Sequence, residues 1–194
     1  MSTSSNHIPK TQEELEAEWV LVQQAQQQPR AFGPLYRRYH EPIFRFIYKR
    51  TGDESLSADL CSQVFLKAMQ NLGSYEFRGL PFGAWLYRLA SNEIAQFFRK
   101  NRRHRVVHIE EEQLQLLQDE MEVDDKIGLE FRYKQMQEII EQLKVEEVQL
   151  LELRFFESRP FKEVGDILDI TENNAKVKVY RLLQKMKKML KKLA

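Results

Sequence analysis

A single cysteine, Cys61, occurs in 194 residues, which excludes an internal disulfide and any zinc site built on several thiolates. Glycine and proline are scarce, seven and six respectively, while Leu, Glu, Gln, Lys and Arg abound, a balance that favours helix throughout. No segment alternates with period two over a useful length, so no sheet is expected. No apolar run approaches the ~20 residues that cross a bilayer, and the polar N-terminus lacks the apolar stretch of a secretion signal. A cytoplasmic location is expected. His7, His40, His104 and His108 show no metal-ligand spacing, and no glycine loop that cradles phosphate occurs. His104 and His108 could share a helix face, but they sit in a cationic cluster. No metal, no cofactor and no catalytic residue are expected.

An apolar fraction of 42% is enough for packed cores. The net charge of +1 averages segments of opposite sign. Arg99, Lys100, Arg102, Arg103 and Arg105 crowd one stretch. Glu110, Glu111, Glu112, Asp119, Glu120, Glu122, Asp124 and Asp125 fill a later one that holds no Lys or Arg. Such asymmetry says more about partners than the total does.

A polar tail covers residues 1–10. Thr11 and Glu14 form a capping-box pattern that opens a helix with Leu15, Trp19, Val22 and Ala25 on one face. A second helix carries Phe32, Leu35, Tyr36, Tyr39, Ile43, Phe46 and Ile47, with Pro42 expected to kink or split it. Asp53 or Ser55 can cap a third, which spans Leu56 to Leu72 with Gly73 as its stop. A loop from Ser74 to Leu80 leads to Pro81 and a fourth helix. That helix buries Phe82, Trp85 and Leu86 and turns Arg88, Asn92 and Gln96 outward. Residues 106–125 read as a charged tether, because dense negative charge opposes compaction.

A second bundle begins near Lys126, and Val145 to Phe156 forms a helix within it. Phe161 to Leu168 then form a short helix, broken by Asp169-Ile170-Thr171. A longer helix follows, with Lys176, Lys178, Arg181, Lys185, Lys187, Lys188, Lys191 and Lys192 and no acidic residue after Glu172. A cationic helix set at an angle by a short partner fits the DNA major groove. Base-edge contact belongs to its first turns, where Glu172, Asn173, Asn174, Lys176 and Lys178 lie. Asn can pair with adenine, Lys can donate to guanine and Glu can accept from cytosine. Arg181 and Lys185 suit phosphate. Lys187 to Lys192 read equally well as a solvated face. Six phosphate contacts would give a log–log salt slope of roughly −5.

Several ordered motifs recur together. They are Phe32-x-x-Leu35-Tyr36-x-x-Tyr39, the run Ala58 to Ala68, Phe77-Arg78-Gly79, Phe82-x-Ala84-Trp85-Leu86-Tyr87-Arg88-Leu89-Ala90-x-Asn92, and Phe98-Arg99-Lys100-x-Arg102-Arg103. Later come Leu153-Arg154-Phe155-Phe156-Glu157, the run Phe161 to Leu168, and Lys176-x-Lys178-x-x-Arg181. In this order and spacing the chain resembles the sigma-70 family of bacterial RNA polymerase sigma factors, of the compact extracytoplasmic-function type. The resemblance covers roughly residues 30–103 and 135–190.

It implies an all-α fold of two small helical domains joined by a flexible acidic linker, the second with a helix-turn-helix. A region-two-like domain would span 11–105, the linker 106–125, and a region-four-like domain 126–194. The resemblance implies core RNA polymerase and promoter DNA as partners, with an anti-sigma factor docking on apolar helical faces. The first domain would hold the polymerase clamp through Asp59, Gln63, Phe65 and Leu66. It would read and melt the downstream (−10) element with Phe77, Arg78, Arg88, Asn92, Gln96, Arg99, Lys100, Arg102 and Arg103. Cations suit phosphate and aromatic or polar groups suit unstacked bases, although Tyr75 and Phe77 could equally pin their own loop. The second domain would read the upstream (−35) element.

Three departures from the family pattern stand out. Ser62-Gln63 replaces the usual Gln-Glu of the clamp-binding helix, Gln96 replaces an Asp, and Asn174-Ala175 replaces Thr-Val. The first removes a negative charge and the last weakens the capping expected there. Two other classes stay open on the residues alone. A stand-alone helix-turn-helix regulator would bind a palindrome without polymerase, and an enzyme would need a site that the motifs do not supply.

Overall fold

In a computed structural model, residues 11–101, 111–121 and 129–193 are described, and among them every regular element is helical. The chain divides into two compact units.

The first unit contains α1 (Gln12–Gln27), α2 (Gly33–Thr51), α3 (Glu54–Asn71) and α4 (Phe82–Asn101). The expected capping box opens α1. Thr11 Oγ1 accepts from the Glu14 N–H at 3.3 Å, and Glu14 Oε2 accepts from the Thr11 N–H at 2.8 Å. Gly52, at φ 64°, ends α2 in the left-handed conformation that glycine adopts without strain. Asp53 Oδ1 then accepts from the Leu56 N–H at 3.0 Å and starts α3. Pro42 does not split α2, which continues through it from Gly33 to Thr51. Burial of Leu35, Tyr39, Ile43, Phe46 and Ile47 holds its two halves in one helix despite one missing backbone hydrogen bond. Gly73 is not a stop either: α3 ends at Asn71, and Gly73 lies inside a 3₁₀ turn, Leu72–Ser74. The core lies where α2, α3 and α4 pack together around Phe65, Phe82, Leu86 and Ile94.

Gly83 sits in that core because nothing larger fits. A Cβ there would lie 2.5 Å from Cε1 of the buried Tyr39 ring. Alanine in a helix interior ordinarily stabilises by up to ~1 kcal/mol over glycine. Here the sign should reverse, and Gly83→Ala is expected to cost about 2 kcal/mol through overpacking. Thermal unfolding of the variant checks the sign.

The second unit contains α5 (Glu111–Met121), α6 (Leu129–Glu141), α7 (Val145–Leu151), α8 (Phe161–Leu168) and α9 (Glu172–Leu193). α5 corrects the tether expected over 106–125. Its Leu114, Leu117 and Met121 form one apolar stripe, and all three are buried, on a helix packed against α9 and the segment after α7. Burial of that stripe outweighs the repulsion of Glu111, Glu112, Asp119 and Glu120, which stay in water. The rest of the expected tether lies outside the described residues.

The helix expected over Val145 to Phe156 changes pitch midway. Glu152–Phe156 is a π turn, with the Glu157 N–H donating to the Glu152 carbonyl at 2.8 Å. Between α8 and α9 the chain passes so close that a Cβ on Gly165 would meet the Ile170 carbonyl oxygen at 2.8 Å. That contact sets the tight turn of the helix-turn-helix.

Candidate nucleic-acid interface

The geometry of α9 follows from its start. Thr171 Oγ1 accepts from the Asn174 N–H at 3.2 Å, so the capping lost at Asn174-Ala175 is supplied three residues earlier. Ala175, Val179, Leu182, Leu183 and Met186 are buried, which turns the opposite face outward. Glu172, Asn173, Asn174, Lys176, Lys178 and Arg181 are all exposed there. Lys176 and Glu172 pair one turn apart at 2.7 Å, both about half exposed, so this contact is worth little and can be exchanged for DNA.

Lys185, expected to meet phosphate, is paired within the protein. Its ammonium lies 2.7 and 2.9 Å from the two carboxylate oxygens of Glu147, tying α9 to α7. Burial alone would raise the Glu147 carboxyl. The hydrogen bonds from Lys185 and the Lys144 backbone outweigh it and hold the carboxyl below its usual range. A depressed carboxylate stabilises the fold at neutral pH and loses that contribution as pH falls through its folded value.

Two residues on the exposed face escaped the sequence reading, Val177 and Tyr180, the latter 65% exposed. Their offset from the buried 175, 179, 182 and 186 positions was the available signal. Apolar groups among the cations suit a thymine methyl.

In the first unit, Arg88, Asn92, Gln96 and Arg99 follow one another at three- or four-residue intervals along α4, so they share a face. Arg88 is half-buried, the other three are exposed, and Lys100 beside them is exposed too. Arg102 and Arg103 lie outside the described residues, as do His7, His104 and His108. Arg78 is exposed, in a loop where Gly79 adopts φ 68°. Both loop aromatics have partners within the unit. Phe77 stacks on Trp19 with centroids 5.7 Å apart and planes at 18°. Tyr75 lies 4.9 Å from Trp85 and 5.2 Å from Phe82, and burial pushes its phenol up to about 12.

α3 presents Asp59, Ser62, Gln63 and Leu66 on one exposed strip. Phe65, expected among them, is 3% exposed. Its ring packs against Phe32, Tyr36 and His40, so it supports the surface from behind and is not part of it. Leu66, 57% exposed, has Met69 and Tyr36 as further exposed apolar residues of α3 and α2 that sequence reasoning passed over. No group of His, Cys, Asp and Glu that could hold a metal occurs among the described residues. No helix among them is long and apolar enough to cross a membrane.

One helical unit ends in a capped cationic helix-turn-helix and the other carries a polar and cationic helix face, features that suit binding to DNA. Sigma-70 region 2 matches residues 35–104, and sigma-70 region 4 matches residues 133–186. The chain belongs to the sigma-70 family, as an RNA polymerase sigma factor of the extracytoplasmic-function type. It is 29% identical over 171 residues to the ECF RNA polymerase sigma factor BldN of Streptomyces coelicolor, an alignment that covers 88% of this chain and 64% of BldN. It is 24% identical to the ECF RNA polymerase sigma factor SigM of Bacillus subtilis, over 79% of this chain and 91% of SigM. Its fold is similar to that of CnrH, solved in complex with the cytosolic domain of CnrY. The TM-score is 0.58 and the identity 16%, over 92% of this chain and 99% of CnrH.

Proposed function

We propose that this chain binds core RNA polymerase, directs it to promoters through upstream (−35) and downstream (−10) elements, and opens the DNA at the second. It acts in the cytoplasm and has no catalytic step of its own. Residues 126–194, with Glu111–Met121 packed on them, form the upstream-reading module. Residues 11–105 form the module for clamp binding and melting. Glu172, Asn173, Asn174, Lys176 and Lys178 face base edges and Arg181 faces phosphate. Arg78, Arg88, Asn92, Gln96, Arg99 and Lys100, with Arg102 and Arg103, serve the opened strand. Two modest DNA surfaces on one polymerase act by avidity. The observation that carries this reading is the exposed face of α9, acid-free beyond Glu172 and anchored by its Thr171 cap.

Asp59, Gln63 and Leu66 supply the polymerase contact, with Leu66 as its apolar anchor. Retention of the purified chain on core polymerase, followed by start-site mapping on genomic DNA, tests the whole reading. Leu66→Arg should weaken retention about 10- to 30-fold, the cost of losing an apolar anchor, with the unfolding temperature unchanged because the side chain is already in water. Core polymerase that ignores the wild-type chain would overturn the reading. CnrH is held by a protein domain, and the exposed Leu66, Met69 and Tyr36 offer an inhibitor of the anti-sigma kind an apolar footing.

A further inference from the structure

α1 precedes the matched region-two span, which begins at residue 35, and no role described above uses it. Three of its side chains nevertheless reach the segment between α3 and α4 at its beginning, middle and end. The Gln26 amide nitrogen donates to the Leu72 carbonyl at 3.0 Å and to the Tyr75 carbonyl at 2.9 Å. The Trp19 indole stacks on Phe77. A Glu18 carboxylate oxygen accepts from the Phe82 N–H at 2.8 Å, at the first residue of α4. Val22, buried between them, presses the same face of α1 into the core.

This arrangement suits a loop that must be ordered before its ligand arrives. A loop with φ 68° at Gly79 and exposed Glu76 and Arg78 would otherwise sample many conformations. It would lose that freedom at the moment a base is captured, at the expense of affinity. The amide of Gln26 is suited to the task, since its two N–H groups meet two carbonyls of different residues. A carboxylate there could accept only and would repel both.

We infer that α1 is a positioning element for promoter opening: Trp19 and Gln26 hold the 75–80 loop in its DNA-ready conformation. The inference rests on the reading above, in which that loop and α4 meet the downstream element. It assigns sequence-dependent opening partly to residues that touch no DNA.

Gln26→Leu keeps the size and removes both donors. Trp19→Ala opens the stack and Trp19→Phe restores an aromatic face. With core polymerase and a promoter selected from a random library by the wild-type chain, permanganate reactivity of unpaired thymines reports opening. A second template carries a scrambled downstream element held open by a mismatched bubble. Gln26→Leu and Trp19→Ala should lower opening of the intact promoter about tenfold, the factor two modest hydrogen bonds are worth. Both should stay within about twofold of wild type on the bubble template, because the loop has no sequence to read there. Trp19→Phe should recover most of the loss. Equal losses on both templates would make α1 a structural prop and overturn the inference, as would full opening by both variants. A wild-type chain that opens no promoter would remove the functional reading itself, and the inference with it.

Discussion

Replacing Lys176, Lys178 and Arg181 together with alanine should lower affinity for an upstream-element duplex by two to three orders of magnitude. The measurement is made on the polymerase-bound protein at about 0.1 M salt. Each cation that neutralises a phosphate releases counterions, contributing a log–log salt slope of about −0.9. Between 0.1 M and 1 M salt that amounts to roughly eightfold for Arg181, and loss of the base-edge contacts of Lys176 and Lys178 adds about 1–3 kcal/mol each, or at least about fivefold apiece. The salt slope should flatten by about 0.9, the share of Arg181. The effect falls toward the lower end because Lys176 first has to leave Glu172, 2.7 Å away. Val179 and Leu182 keep their burial in the variant, so its unfolding temperature should not change. A loss below tenfold with an unchanged slope would show that this face of α9 does not meet DNA. Lys185→Ala gives a contrasting result: it removes the tie to Glu147 and should register as lost stability, with only a small change in slope.

Glu18→Ala should destabilise the first unit strongly although it removes no apolar packing. Glu18 is 2% exposed and accepts from three donors that converge on it. They are the Tyr39 hydroxyl, the Arg38 guanidinium at 3.0 Å and the Phe82 N–H at 2.8 Å. Burial, and then the charge of Glu18, push the Tyr39 phenol far above its ordinary range, so it remains a donor at any working pH. Arg38 is about half exposed and can return to water. Tyr39 and the Phe82 N–H cannot: the buried hydroxyl loses the acceptor of its proton and the N–H loses its carboxylate. A buried donor without its partner costs about 1–3 kcal/mol, so the sum is about 3 kcal/mol, or a fall of roughly 15 °C for a domain of this size. Calorimetry should show the transition of the first unit moving while that of the second stays in place. Glu18→Gln should fall in between, since its amide offers one acceptor oxygen where two are used. A shift under about 3 °C for the alanine variant would mean that the buried carboxylate contributes little.

Much of the helical framework was legible because its signals are local. The Thr11 capping box, Asp53, Gly52 and the break at Asp169-Ile170-Thr171 act within four residues of where they stand. The cationic first turns of α9 were likewise legible from their place after that break. Misreadings arose where two local signals competed. In α5 the acidic density argued for a tether, and the 114, 117 and 121 stripe argued for a packed helix. Burial decided between them only once α9 and the π turn were there to receive it. In α3 both Phe65 and Leu66 are apolar neighbours, and periodicity does not say which row faces inward. The rings of Phe32, Tyr36 and His40, from another stretch of chain, claim Phe65 and leave Leu66 in water.

By itself the order of residues determined most of the helices, the caps at Thr11 and Asp53, the cationic character of α9 and membership in the sigma-70 family, since each depends on spacing along one stretch. Tertiary structure alone decided what the side chains of α1 touch. Nothing local marks Glu18 or Gln26, whose donors and carbonyls lie 20 to 64 positions away along the chain. A hydrogen bond depends on where its partner lies in space, and separation along the chain carries no record of that.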